Sequence, residues 1–161
     1  MQIAIIAVGN KMPSWVNDCC SDYLQRMPAE YQLKIIEVAA EKRGKNQSVQ
    51  VARRRETERL LAAVPAGDWL IALDEQGRSL TTVQLARQFT QWQELAQNIS
   101  FVIGGADGFD FNVARKGHNS WPNWRWSLSQ LTYPHPLVRV ILAEQLYRAW
   151  SVTIGHPYHR E

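Results

Sequence analysis

Residues 3–8 read Ile-Ala-Ile-Ile-Ala-Val, an unbroken apolar run with no polar position to turn toward water. A run this short is strand rather than helix, and a strand apolar on both faces must be covered on both sides. Further short runs at 33–38, 69–73, 99–103 and 124–128 read as the second to fifth strands. Between them, apolar residues recur at helical spacing. Pro13 opens a segment to about Arg26 with Trp15, Val16, Cys19, Tyr23 and Leu24 on it. Ser48 fits the cap of a basic helix ending near Ala63. Thr81 or Thr82 caps a helix holding Leu85, Phe89, Trp92 and Leu95. Residues 136–153 form the last helix. Strands alternating with helices predict an α/β fold with a mostly parallel sheet and helices on both faces. Residues 76–78 read as a loop, a short helix is expected from about Phe111, and the tryptophan-rich stretch 117–126 reads as an inserted loop.

The 161 residues suit one domain spanning 1–161, with no repeat or linker. No apolar run reaches the roughly 18–20 residues that cross a bilayer. The N-terminus reads as a buried strand and not a signal peptide, so the expected compartment is cytoplasmic. Cys19 and Cys20 are adjacent and offer neither a disulfide framework nor metal spacing. The four histidines, His118, His135, His156 and His159, make no zinc pattern, and no metal is expected. Net charge is only +3, but Lys42, Arg43, Lys45, Arg53, Arg54, Arg55 and Arg59 crowd one segment. That stripe suits a polyanion, nucleic acid first, or else a solvated helix face with Glu–Arg pairs.

Three places carry candidate chemistry. Leu73 and Asp74 end a strand, where an acid accepts from a ligand hydroxyl or amine or else caps a turn. A buried strand runs into Gly104-Gly105-Ala106-Asp107-Gly108, at the edge where parallel sheets bind ligands; it is neither a dinucleotide fingerprint nor a P-loop. The segment Ser129-Gln130-Leu131-Thr132-Tyr133-Pro134-His135-Pro136 is too polar for core and is stiffened by its prolines. His135 stands at a helix N-terminus, whose dipole favours a neutral imidazole. The tail from Gly155 carries His156, Tyr158, His159 and Arg160, unusual content for a chain end. The last helix is apolar around much of its circumference, as in a core or a subunit interface, with Arg139 and Arg148 as exceptions and Glu144–Arg148 as an i,i+4 pair.

Read together, VGNKMPSW, EKRGKN, ALD, IGGADG, LSQLTYPHPLVRVILAEQLYRAWS and HPYHRE resemble the ribosomal RNA large subunit methyltransferase H family, in order and over nearly the whole chain. These are small SPOUT-class enzymes that methylate N3 of a pseudouridine in large-subunit (23S) ribosomal RNA. The resemblance implies S-adenosyl-L-methionine as cofactor, a C-terminal trefoil knot, a homodimer with its site at the subunit interface, and the assembled ribosome as substrate. It assigns the cofactor to Leu73, Asp74, Gly105 and Ser129, Gln130, Leu131, Thr132, Tyr133 and Pro134. It assigns the target base to His135, Tyr158, His159 and Arg160, with the tail closing over the site. Arg160 or Arg139 would stabilise charge, His135 or His159 would accept the proton, and Tyr158 would stack on the base. The stretch 117–126 is longer than the family pattern suggests. Competing readings are a non-catalytic RNA-binding module on the same fold, and a nucleotide-cofactor enzyme of another chemistry.

Overall fold

The computed structural model of the chain describes residues 1–44, 48–117 and 120–160, Arg160 by its backbone alone. Lys45, Asn46, His118 and Glu161 therefore lie outside the described residues. Five strands form one parallel sheet: β1 (Ile3–Val8), β2 (Lys34–Val38), β3 (Trp69–Ser79), β4 (Ile99–Ile103) and β5 (Trp124–Ser127). Their spatial order is β2-β1-β4-β3-β5. β1 and β4 are buried at every residue, as their apolar runs require. Ser100, the polar residue of β4, donates its hydroxyl to Asp68 at 2.6 Å and so is satisfied in the interior.

The helices are α1 (Ser14–Arg26), α2 (Val49–Ala63), α3 (Thr82–Glu94) and α4 (His135–Thr153). The two-residue period of the strands divides the core. Ile3, Ile5, Ala7, Ile71 and Phe101 face Leu85, Phe89 and Trp92 of α3 and Leu142, Ala143 and Leu146 of α4. Ala4, Ile6, Leu70, Ala72 and Val102 face Leu60 of α2 together with Phe109 and Trp121. Thr81 caps α3 through a full capping box: its hydroxyl accepts from Gln84 N at 3.2 Å, and Gln84 Oε1 accepts from Thr81 N at 2.9 Å. Ser48 holds the N-cap position of α2 but its side chain makes no capping bond. Among the described residues no helix is long and apolar enough to cross a membrane.

The structure departs from the sequence expectations in three places. Residues 76–78 are not a separate loop but part of β3, which runs on to Ser79 after a register shift. Among the described residues no helix starts near Phe111. Asp110 accepts Asn112 N in its carboxylate at 3.0 Å and Val113 N in its carbonyl at 3.2 Å, a local turn that competes with helix. Within the stretch read as an inserted loop, Trp121 is buried, and Trp124 opens the expected fifth strand. Trp121 packs on Phe109 and Phe111, and its indole N–H donates to Val113 O at 2.6 Å. Trp121→Ala is therefore expected to cost about 3–5 kcal/mol, as for a core aromatic. Urea denaturation measures it, and a loss near zero would return this stretch to loop status.

Candidate active site

All five strands are parallel, so their carboxyl ends share one edge, the place where open α/β sheets bind ligands. A cavity of about 810 Å³ lies there, within the ordinary size range of small-molecule sites. Its walls are residues 73–76 after the first part of β3, 103–109 at the end of β4, and the β5–α4 connection. Of the sequence candidates, Leu73, Asp74, Gly105, Ser129, Leu131, Thr132, Tyr133, Pro134 and His135 all line it. Gln130 lies within the same loop but is not part of the lining.

Each wall has a physical cause. Leu73 and Arg78 both stand opposite Trp126, so the residues between them leave the ladder and bulge into the cavity. Asp74 accepts Gln76 N at 3.0 Å and meets Arg125 at 3.4 Å, and Glu75 accepts the Thr132 hydroxyl at 3.1 Å. The last bond ties the β3 bulge to the loop before α4. Gly77 permits the bulge to close, since a Cβ there would lie 2.7 Å from the backbone of Arg125 and Trp126. The loop itself is braced: Ser127 Oγ donates to Ser129 O at 2.8 Å, and Ser129 Oγ accepts Leu131 N at 3.0 Å.

Gly105 has a role that sequence reasoning missed. A Cβ at this position would collide with the carboxylate of Glu56, which α2 buries to 1% exposure. Glu56 accepts Glu41 N at 2.9 Å and pairs with Arg43 at 3.2 Å; Arg43 also pairs with Asp107 at 2.7 Å. Glycine is required here by a buried acid fifty residues away in sequence as well as by the cavity. Asp107, inside the glycine-turn candidate, lines the cavity as well, and so do Glu75, Gln76 and Arg53, which were not singled out for it. Glu75 had a signal, since it follows the strand-end Asp74. Arg53 had none.

Arg139, which the sequence offered as a charge stabiliser, is 1% exposed and turned away from the cavity lining. It donates to Val8 O at 3.0 Å and Gly9 O at 2.6 Å and pairs with Glu37 at 2.5 Å. It therefore ties α4 to the ends of β1 and β2. Its Nε stands 3.4 Å from His135 Nε2. Burial, and secondarily the Arg139 charge, push the His135 imidazole below the ordinary histidine value, while hydrogen bonds to backbone at Gly104 and Val8 pull the other way. This environment favours the neutral imidazole, with desolvation as the leading cause.

The tail forms a 3₁₀ turn, Pro157–Arg160, docked on its own chain outside the cavity. Tyr158 donates to Glu144 at 3.0 Å, its hydroxyl lies 3.3 Å from that of Tyr23, and its ring meets Tyr147 edge-on at 4.8 Å. Arg148, paired with Glu144 at 2.7 Å, lies over the same ring. Burial, followed by the bonds to Tyr23 and Glu144, raises the Tyr158 phenol well above the ordinary tyrosine range. A ring nitrogen of His159 contacts His156 O. The Arg160 side chain lies outside the described residues. Among the described residues no cluster of His, Cys, Asp or Glu could hold a metal.

The His135 shift sets an acid limit. A histidine held below its unfolded value of about 6.5 binds its proton more readily when unfolded, so stability falls as pH drops through about 6.5 toward the lowered folded value. His135→Gln is expected to flatten that acid limb of melting temperature against pH. An unchanged limb would show that His135 is not held neutral by the fold.

Comparisons with known proteins identify the family. A family model described as "Predicted SPOUT methyltransferase" matches residues 1–159. Ribosomal RNA large subunit methyltransferase H of Hydrogenovibrio crunogenus is 46% identical over 161 residues, covering the whole of both chains. The proteins of that name from Ralstonia pickettii and Methylobacillus flagellatus are 48% and 45% identical, covering 99% and 100% of each chain. A family model over nearly the whole chain and relatives of this identity over the whole length show the family: the chain belongs to the SPOUT methyltransferase family.

Proposed function

We propose that this protein transfers a methyl group from S-adenosyl-L-methionine to N3 of a pseudouridine in 23S ribosomal RNA. The carrying observation is one cavity gathering Leu73, Gly105 and the loop from Ser129 to Pro134, in a chain whose relatives bear that family's name. In this reading the substrate is the assembled ribosome in the cytoplasm, the enzyme is a homodimer, and the C-terminal part is threaded as a trefoil knot.

The lining suits the donor. Asp74, Glu75 and Asp107 bring carboxylates to the cavity, which favours a ligand bearing an ammonium and a sulfonium. Leu73, Ile103 and Trp126 supply apolar surface for a flat base. The Trp126 indole nitrogen is buried without a hydrogen-bond partner in this structure. When bound, the donor supplies an electrophilic methyl group for in-line attack by the imide nitrogen of the target base.

This chain then has three tasks. Leu73, Asp74, Gly105 and the loop 129–134 hold and orient the donor. His135, neutral and engaged by Arg139, fixes the junction of that loop with α4. The tail addresses the base: Tyr158 anchors it, His159 accepts the N3 proton, and Arg160 stabilises the negative charge that develops. The tail docks away from the cavity of its own chain, which favours a site completed by the partner's tail. Trp15 on α1, 48% exposed, and the half-exposed Leu137 and Ile141 on α4 offer the apolar surface such a dimer needs.

Mass spectrometry of 23S ribosomal RNA, after ribosomes are incubated with the protein and S-adenosylmethionine, tests the reading. A single added methyl on a pseudouridine is expected. Absence of donor binding by calorimetry at high micromolar concentration sinks it. Deleting residues 158–161 is expected to abolish methylation while donor affinity survives; if donor affinity and melting temperature fall too, the tail is structural. Trp15→Glu is expected to yield a monomer by light scattering and to lose methylation. A dimer that persists would move the interface off α1.

A further inference from the structure

The basic segment is not a uniform stripe. Arg43 is committed to Glu56 and Asp107, Arg54 to Glu58 at 3.1 Å, and Arg55 and Arg59 both to Glu41. Arg53 pairs with no acid among the described residues. Its Nε is buried without a hydrogen-bond partner, yet the residue is half-exposed and lines the cavity. The other charged groups in the described lining are acids, Asp74, Glu75 and Asp107. Asp74 already faces Arg125 and Asp107 already faces Arg43.

Arg53 is also held in place. Its helix is fixed to the glycine turn one turn further on, where Thr57 Oγ accepts Asp110 N at 3.0 Å and donates to Arg53 O at 2.9 Å. Glu56 backs the same turn through Gly105 and Arg43. The guanidinium is thus presented from a rigid element, at the junction between the cavity and the exposed Arg54 and Arg55 surface. A planar fork with an unmet donor, flanked by open basic surface, is built for an oxyanion of a large ligand rather than for another side chain.

We propose that Arg53 is a substrate-binding residue that takes a backbone phosphate oxygen of the target RNA as the base enters the cavity. The inference rests on the methyl-transfer reading above and adds a contact which that reading does not assign. It separates Arg53, which grips RNA at the site, from the arginines beside it, each of which is paired with an acid of the same chain. The donor's own carboxylate is the competing oxyanion, and the experiment distinguishes the two.

The full-length protein is assayed on ribosomes as wild type, Arg53→Gln, Arg53→Lys and the control Arg54→Gln, across a salt series. Donor affinity is measured by calorimetry and folding by thermal melting. Arg53→Gln is expected to raise KM for ribosomes roughly tenfold or more, the worth of a charged hydrogen bond. It should also lower the slope of log KM against log salt by about 0.7, the share of one single-strand phosphate. Arg53→Lys should recover the salt slope but only part of the KM, while donor affinity, melting and Arg54→Gln stay at wild-type values. A tenfold loss of donor affinity in Arg53→Gln would overturn the proposal in favour of the donor carboxylate. Unchanged KM and slope would overturn it outright. Should Arg53→Gln melt early, Arg53→Lys decides, because loss of the fork alone still raises KM. A wild type that neither binds donor nor methylates fails before any variant is compared; it removes the methyl-transfer reading and this inference with it.

Discussion

Everything in this chain follows from β1 and β4 having no face to give to water. Both lie at the centre of the sheet, buried at every residue, so helices must cover both sides. Parallel neighbours need crossovers rather than hairpins between successive strands, and every strand points the same way. The carboxyl ends of β3, β4 and β5 then arrive together at one edge. The cavity is the space their connections enclose, so the constraint that makes the core also places the site.

A gathering of loops is not by itself a rigid site, and here specific bonds make it one. Glu75 and Thr132 join the β3 bulge to the β5–α4 loop. Arg43 joins Asp107 of the glycine turn to Glu56 of α2. Arg139 joins His135 to the ends of β1 and β2. Glu56 and Arg139 are each 1% exposed, and removing either partner of such buried pairs leaves a charge uncompensated. These contacts cost desolvation, and what they return is a fixed wall around a space that must orient a reacting group within a fraction of an ångström.

The parts of the fold that were legible are those where local pattern and global burial agree. The runs at β1 and β4, the Thr81–Gln84 capping box and the proline-stiffened loop before α4 each announce themselves within a few residues. Where the structure surprises, a distant partner overrides the local signal. Gln76-Gly77-Arg78 reads as a loop because the alternation breaks, yet the break is a register shift against β5. Trp121 reads as loop because its neighbours are polar, yet Phe109 and Phe111 receive it. The need for glycine at 105 comes from Glu56, and the singularity of Arg53 comes from the pairing of every other described arginine around it; neither is encoded in spacing. Local chemistry nominated the cofactor residues, and the methyl donor and the RNA entered by resemblance.

The charge around the cavity gives its two substrates different addresses. Acids on β3 and on the glycine turn favour a positively charged small molecule inside, and the same acids repel the phosphates of an RNA. An RNA-modifying site with such a lining needs a cation where the nucleic acid enters, held clear of the acids that would otherwise neutralise it. In this chain Glu41 and Glu58 take up Arg54, Arg55 and Arg59, and Glu56 and Asp107 take up Arg43. The paired arginines keep local positive potential with an acid beside each of them, whereas Arg53 has no acid partner among the described residues. On the proposed reading, placement of the RNA then falls to one unpaired arginine at the cavity rather than to the paired ones beside it, which suits a protein of net charge only +3.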